Sequence, residues 1–206
     1  MSGPLLIAAA CAFLSAGCST PSGNTSGSDV CDATTYPCGP YGVGVGDVIA
    51  NATLTGRRDD NHDGRITDDP ARPIQLSDYH GDPNVKVLAL FITTEWCVPC
   101  RAEQPELIGI WNRSQSMKSG VAVLELLVQN TRGGAADQTT IDTWANGYGI
   151  PFDMAFDPMG NLGRLYTTGT YPSQAVITMR DMRIRWAEHG ITSGALQTAI
   201  DDALAQ

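Results

Sequence analysis

Two cysteines separated by two residues are the part of this sequence best suited to chemistry. Cys97 and Cys100 lie in the stretch EWCVPCRAEQPEL, with Trp96 directly before the first and Pro99 directly before the second. A thiolate is the nucleophile in thiol–disulfide exchange, and a neighbouring thiol can resolve the mixed disulfide that forms. The pair is therefore interpreted as a redox dithiol, with half of a metal site and a structural disulfide as the alternatives.

The other four cysteines lie upstream in two groups. Cys31 and Cys38 enclose the stretch DATTYP, and in an exported protein they are most simply a structural disulfide that closes a short loop. A relay that joins one of them to the C-x-x-C is one alternative, and a zinc site built from all four is another. The unlike spacing of the two pairs argues against zinc. Cys11 and Cys18 lie near the N-terminus.

The segments on either side of the dithiol predict how it is positioned. The apolar stretch 85–94 predicts a buried strand, and 98–117 has helical spacing, so the cysteines lie where a strand ends and a helix begins. A helix amino terminus carries about half a positive charge, which stabilises a thiolate and lowers its pKa. Cys97 is thus expected to be exposed and attacking, and Cys100 to be buried.

The rest of the chain continues the alternation of strands and helices. The predicted strands are 120–130, 151–157, 173–179 and 183–189, and the predicted helices are 138–149 and 192–206. This order predicts an α/β fold with a central sheet flanked by helices. In such folds the chemistry lies at the carboxyl ends of the strands, where the cysteines are placed.

The dithiol motif resembles that of the thioredoxin superfamily and, within it, the TlpA/ResA-type redoxins of the bacterial envelope. Those proteins share W-C-x-P-C-R-x-E-x-P-x-L, and the matching residues are Trp96, Cys97, Pro99, Cys100, Arg101, Glu103, Pro105 and Leu107. The resemblance covers about residues 46–205. It implies a thioredoxin-like fold with a central mixed sheet over 46–206, preceded by an N-terminal extension at 31–45.

The resemblance also implies roles for residues outside the dithiol. Pro172 stands at the place of the family's cis-proline, and Tyr171 and Pro172 are expected to contact an extended substrate peptide, with Trp96 shielding the cysteines on one side.

A proton relay is less clearly marked in the sequence. Where thioredoxin has its buried relay aspartate, this chain has Phe91. Glu95 or Glu103 is the candidate relay in its place. The alternative is that each is a solvated surface or helix carboxylate.

An acidic insertion at 57–73 contains the stretch DDNHDGRI, which matches the first eight positions of an EF-hand-like calcium loop. Its expected ligands are the side-chain oxygens of Asp59, Asn61 and Asp63 and the backbone carbonyl of Arg65. The twelfth position, normally glutamate, is Pro70, with Asp68 or Asp69 as substitutes. The insertion is interpreted either as a structural calcium site or as an acidic hairpin tip.

The N-terminal segment predicts export. Its first 28 residues contain no Lys, Arg, Asp or Glu, and its apolar run at 4–17 is too short to span a bilayer. LSAGC, ending at Cys18, resembles the lipobox of bacterial lipoproteins, which implies a signal peptide at 1–17, lipidation of Cys18 and a flexible linker at 18–30. An ordinary secretory signal is the alternative. The expected location is the bacterial cell envelope, lipid-anchored and facing the periplasm.

Together these features predict a thiol-disulfide oxidoreductase, reductive rather than oxidative. Its expected partners are exported protein disulfides, a membrane thiol electron donor and the membrane surface. No cofactor is required, and structural calcium in the acidic insertion is the one ion considered. A formal charge of −9 excludes nucleic acid as a partner.

Two other functions are alternatives to the oxidoreductase. A peroxiredoxin-like peroxidase would use Thr94-x-x-Cys97 but needs proline where Leu90 stands. A non-catalytic binding lipoprotein or metallochaperone is the other, although copper chaperones of this fold use a C-x-x-x-C spacing.

Overall fold

The computed structural model describes residues 35–166, 169–192 and 194–206. The predicted signal peptide (1–17), the linker (18–30), the lipidation site Cys18 and the disulfide partner Cys31 lie outside the described residues. Cys38 is disulfide-bonded. The pairing of Cys31 with Cys38 therefore stays a prediction.

A seven-stranded mixed sheet forms the centre of the described chain, as predicted. Its strands are β1 (Thr53–Arg57), β2 (Arg72–Gln75), β3 (Val87–Thr94), β4 (Val121–Gln129), β5 (Asp153–Phe156), β6 (Ser173–Thr178) and β7 (Arg183–His189). Their spatial order is β2-β1-β5-β4-β3-β6-β7. The three central strands β3, β4 and β5 run parallel, and the other pairings are antiparallel.

Helices cover both faces of this sheet. They are α1 (Leu76–His80), α2 (Val98–Met117), α3 (Gln138–Tyr148), α4 (Gly163–Tyr166) and α5 (Ala195–Leu204), with a short 3-10 helix at Ile66–Asp68. Every residue of β3 is buried, because successive side chains point to opposite faces and each face is covered. Ala89 and Phe91 pack in the cluster that includes α2, α3 and α5, whereas Leu88 and Leu90 pack in the cluster that includes α1 and α4.

Several helices have features that the sequence does not show directly. A proline inside a helix removes a backbone hydrogen bond, yet α2 continues through Pro105 to Met117. The N-cap of α5 is Gly194. The short helices α1 and α4 were not predicted, since four or five residues are too few to show a helical period.

The acidic insertion is the loop of a hairpin. Strands β1 and β2 pair antiparallel, with Leu54 opposite Ile74, and both side chains are fully buried. The insertion is therefore anchored at both ends to the edge of the sheet. Among the described residues, no helix has the length and apolar character needed to cross a membrane.

Candidate functional site

The two cysteines form a disulfide at the amino terminus of α2. Cys97 is the N-cap residue, and its Sγ atom accepts a hydrogen bond from the backbone N–H of Cys100 at 3.1 Å. Pro99 lies in the first turn, where its missing N–H leaves no helical hydrogen bond unmade. The sulfur predicted to attack is therefore held against the free N–H groups of a helix end.

The expected exposure of Cys97 is wrong for this disulfide form. The residue is only 2% exposed and Cys100 is fully buried, and both belong to the apolar cluster beneath α2. Cys97 is buried because its side chain packs in this cluster with Cys100. The neighbours Trp96 and Val98 are 44% and 71% exposed, so the surface beside the disulfide is apolar.

Trp96 and Tyr171 form one edge of the site. Their rings meet edge to face, with centroids 5.9 Å apart, and the indole Nε1 of Trp96 donates to the Oε1 atom of Gln129 at 2.9 Å. The Tyr171–Pro172 peptide bond is cis. The structure thus places Tyr171, directly before the cis proline, against Trp96, directly before Cys97.

Glu95 has a structural role in this arrangement. Its Oε2 atom accepts a hydrogen bond from the backbone N–H of Thr131 at 2.8 Å, and its backbone carbonyl accepts from Nε of Arg101 at 3.2 Å. The carboxylate therefore holds the loop that follows β4. This engagement favours the alternative in which Glu95 is not a relay.

Glu103 is a buried carboxyl one turn of α2 beyond Cys100. It is 7% exposed, and it accepts hydrogen bonds from Nε2 of Gln174 at 3.0 Å and from the backbone N–H of Thr192 at 3.2 Å. Burial raises its pKa, and the hydrogen bond from Thr192 opposes that rise. Glu103 is thus a titratable group inside the protein, as a relay requires, and it also joins α2 to β6.

A second buried carboxyl near the dithiol helix, Glu125 on β4, was not predicted from the sequence. It is fully buried and stands beside Phe91 in the parallel pairing of β3 with β4. Its Oε1 atom accepts hydrogen bonds from Nε2 of Gln104 at 2.8 Å and from Nε1 of Trp144 at 3.1 Å. Burial raises the pKa of Glu125 to about 8, although both hydrogen bonds lower it. The available signal was one acidic residue in the middle of an apolar strand.

The acidic insertion folds into a tight loop closed by its own side chains. The two carboxylate oxygens of Asp59 accept the backbone N–H groups of Asp63 at 3.0 Å and Gly64 at 3.1 Å. Asn61 Oδ1 also accepts the N–H of Asp63 at 3.0 Å, and Asp63 Oδ1 accepts the N–H of Arg65 at 2.9 Å. The residues named as calcium ligands therefore lie on one loop.

Carboxylates alone do not complete a metal site in this loop. Nowhere in the described ranges do three His, Cys, Asp or Glu side chains lie close enough together to hold an ion. The amide oxygen of Asn61 and the carbonyl of Arg65 would have to supply the remaining ligands. Asp69 is 7% exposed. Its pKa is raised, mainly by burial and to a smaller extent by the negative charge of Asp59. Calcium binding stays a prediction.

The sequence matches the model of the AhpC/TSA family over residues 45–187. It is 26% identical over 100 residues to the thiol-disulfide oxidoreductase ResA of Oceanobacillus iheyensis, in an alignment that covers 48% of this chain and 46% of ResA. The chain thus spans about half the length of the curated relative that it matches.

Two solved structures have a similar fold. One is the Chlorobium tepidum protein given the name thiol:disulfide interchange protein DsbE, at a TM-score of 0.60 and 22% identity, covering 79% of this chain and 99% of that one. The other is the exposed lipoprotein thioredoxin Etrx1 of Streptococcus pneumoniae, at a TM-score of 0.53 and 24% identity, covering 76% of this chain and 98% of that one. Both likenesses show a thioredoxin-like fold.

Proposed function

The chain belongs to the AhpC/TSA family and has a thioredoxin-like fold, and on that premise we propose that it is a thiol-disulfide oxidoreductase acting through Cys97 and Cys100. The observation that carries the proposal is the disulfide between these residues at the amino terminus of α2. A pair that can form this bond reversibly can accept two electrons from one protein and pass them to another.

The proposed reaction begins with the reduced pair. The Cys97 thiolate attacks one sulfur of a substrate disulfide, the substrate S–S bond breaks, and the departing sulfur takes up a proton. Cys100 then loses its proton and attacks the Cys97 sulfur, which releases the second substrate sulfur as a thiol. The substrate gains two electrons and two protons, and Cys97 and Cys100 return to the disulfide seen here.

The geometry supports Cys97 as the attacking residue. Its sulfur accepts the backbone N–H of Cys100, and the amino end of α2 favours negative charge at that position. Cys100 is fully buried and one turn further into the helix, which suits a resolving thiol that substrates do not reach directly.

The exposed apolar surface beside the disulfide is the proposed substrate contact. Trp96 and Val98 are exposed, and Tyr171 packs against Trp96 directly before the cis proline Pro172. An extended peptide laid across these residues would bring its own disulfide to Cys97. We propose exported proteins as the substrates, because the N-terminal segment of the chain predicts export.

The proposed function also includes the direction of the exchange reaction and its place in the cell. We infer a reductase supplied by a membrane thiol donor, anchored by lipid at Cys18 and facing the periplasm of a bacterial envelope. Support comes from the lipobox-like LSAGC stretch and from the lipoprotein name of the similar pneumococcal structure.

Reduction of a protein disulfide tests the proposal. The dithiothreitol-reduced, desalted protein is mixed with oxidised insulin, and free insulin thiols are counted against time. We expect release by the native protein, none by Cys97→Ser, and a trapped covalent adduct with Cys100→Ser. Thiol release no faster than that of Cys97→Ser would overturn the proposal. Consumption of hydrogen peroxide instead of insulin disulfide would favour the peroxidase alternative.

A further inference from the structure

We propose that Glu125 is a redox-linked positioning residue that holds a proton more tightly when Cys97 and Cys100 are reduced than when they form the disulfide. This inference rests on the proposed function, because it needs a dithiol that cycles between two states. It assigns a role to a buried acid that the exchange reaction itself does not use.

The surroundings of Glu125 leave its charge uncompensated. Its Oε1 atom accepts two hydrogen bonds, both from neutral donors, Gln104 and Trp144. Its Oε2 atom is buried without a hydrogen-bond partner. Among the described residues, no cation forms an ion pair with it. Ionising this carboxyl is therefore costly, and a further negative charge nearby would make it costlier.

A direct physical link joins Glu125 to the dithiol helix. The Nε2 atom of Gln104 donates both to Glu125 at 2.8 Å and to the backbone carbonyl of Cys100 at 3.3 Å. Gln104 is 1% exposed, so this bridge lies inside the protein where electrostatic interactions are little screened. A change of charge at the amino end of α2 is thus transmitted to a carboxyl in a low-dielectric environment.

The side chains that face Glu125 from the neighbouring elements do not neutralise its charge. Helix α3 presents Trp144, and the adjacent strands place Phe91 and Met154 beside it. Helix α2 carries Glu103, whose carboxylate accepts hydrogen bonds from Gln174 and Thr192. It also carries Arg101 and Arg113, which are exposed, and Glu106, which is half-buried. The dithiol adds Cys97 at the N-cap and Cys100 in the first turn.

The direction of the coupling follows from charge. In the disulfide form neither cysteine is charged, and burial already raises the pKa of Glu125 to about 8. Reduction that leaves Cys97 as a thiolate adds a like charge, which raises that pKa further. Above about pH 8 the balanced half-reaction is then: disulfide and carboxylate, plus two electrons and two protons, give Cys97 thiolate, Cys100 thiol and protonated Glu125.

If Glu125 served only as a hydrogen-bond acceptor, its replacement by glutamine would not change how reduction depends on pH. As an acceptor for Gln104 and Trp144, position 125 needs one carbonyl oxygen, which glutamine also has. The substitution Glu125→Gln therefore keeps that oxygen and removes only the ionisable group. A pH-dependent difference between the two proteins would come from the proton and not from the packing.

The experiment compares reduction equilibria of the full chain and of Glu125→Gln in glutathione buffers from pH 6 to pH 9.5. We expect the two equilibrium constants to keep a fixed ratio up to about pH 7. As the pH rises through 8, the native protein should become harder to reduce relative to the variant, by threefold or more at pH 9.5. The matched control is Glu188→Gln, an exposed carboxylate on β7, which should track the native protein at every pH.

A measurement on the native protein guards against misfolding of the variant. The carboxyl carbon of Glu125 is titrated by NMR in the oxidised and the reduced protein, and we expect the higher pKa in the reduced one. Equal values in both states, or parallel reduction curves for Glu125→Gln, would overturn this inference while leaving the dithiol intact. Absence of any reversible couple at Cys97 and Cys100 would instead overturn the proposed function.

Discussion

The backbone N–H of Cys100 points at the Sγ atom of Cys97, 3.1 Å away, across the first turn of α2. In the disulfide this hydrogen bond orients a neutral sulfur. In the reduced protein the same N–H, together with the other free N–H groups of the helix end, faces the thiolate that must attack. The two cysteines are therefore expected to differ in reactivity although they are covalent partners.

The first prediction concerns this asymmetry. In the reduced protein, Cys97 should have a pKa below that of a free cysteine, because the helix end stabilises its thiolate. Iodoacetamide alkylation of Cys100→Ser, followed against pH, measures the Cys97 thiolate, and Cys97→Ser provides the matched measurement for Cys100. We expect Cys97 to react at least tenfold faster than Cys100 at pH 7. Equal rates for the two variants would contradict the assigned roles.

The second prediction tests the apolar surface beside the dithiol. Trp96→Ala removes the ring that contacts Tyr171, and it should lower kcat/KM for a protein disulfide by about three- to tenfold, since an aromatic contact contributes about 0.5–1.5 kcal/mol. Exchange with a small disulfide such as oxidised glutathione should change less. The measurement is the ratio of the two rates.

The matched control for Trp96 is Met117→Ala. Met117 is 69% exposed and ends α2 at the opposite terminus from the cysteines. Its removal should leave both exchange rates unchanged. An equal loss for both substrates in Trp96→Ala would mean that the ring supports the dithiol rather than the substrate.

The parts of this site that could be predicted are those with a signal in neighbouring residues of the sequence. The strand at 87–94 and the helix starting at Val98 were predicted closely, because an uninterrupted apolar run and Pro99 in a first turn are local signals. The cis bond before Pro172 was expected only from the family resemblance.

The features that were missed depend on packing between distant segments. Burial of Cys97 arises from its packing in the cluster beneath α2, which no local pattern encodes. The environment of Glu125 is built by Gln104 from one helix and Trp144 from another. An acidic residue within a strand shows in the sequence, but its hydrogen-bond partners do not.

The third prediction concerns stability and pH. Because burial raises the pKa of Glu125 to about 8, its stabilising contribution is complete below the pKa of an unfolded-chain glutamate and is lost as the pH rises to about 8. Between pH 5 and pH 8 the free energy of unfolding of the oxidised protein should therefore fall relative to Glu125→Gln, by at most about 1.4 kcal/mol per pH unit.

Urea denaturation at each pH provides this comparison. Asp153, whose pKa burial raises to about 6, contributes equally to both proteins and cancels from the difference. Parallel stability profiles would show that Glu125 is ionised in the folded protein at the same pH as in the unfolded chain.

The fourth prediction concerns the acidic hairpin loop. If Asp59, Asn61, Asp63 and the carbonyl of Arg65 bind calcium, adding the ion to chelator-treated protein should raise Tm by several degrees at millimolar concentration. Asp63→Asn should remove most of that shift. Asp202→Asn, an exposed carboxylate on α5, should retain it. A Tm that is unchanged up to about 10 mM calcium would leave the loop as an acidic hairpin tip.

Cys97 and Cys100 are proposed to form a reversible redox couple, and an equilibrium titration of the full chain in dithiothreitol and glutathione buffers tests this most directly. We predict one two-electron transition, absent from Cys97→Ser, with a midpoint near or below the roughly −270 mV of thioredoxin, as a reductase requires. A midpoint near the roughly −120 mV of DsbA would contradict the reductive direction. The absence of any reversible transition would contradict the redox function itself.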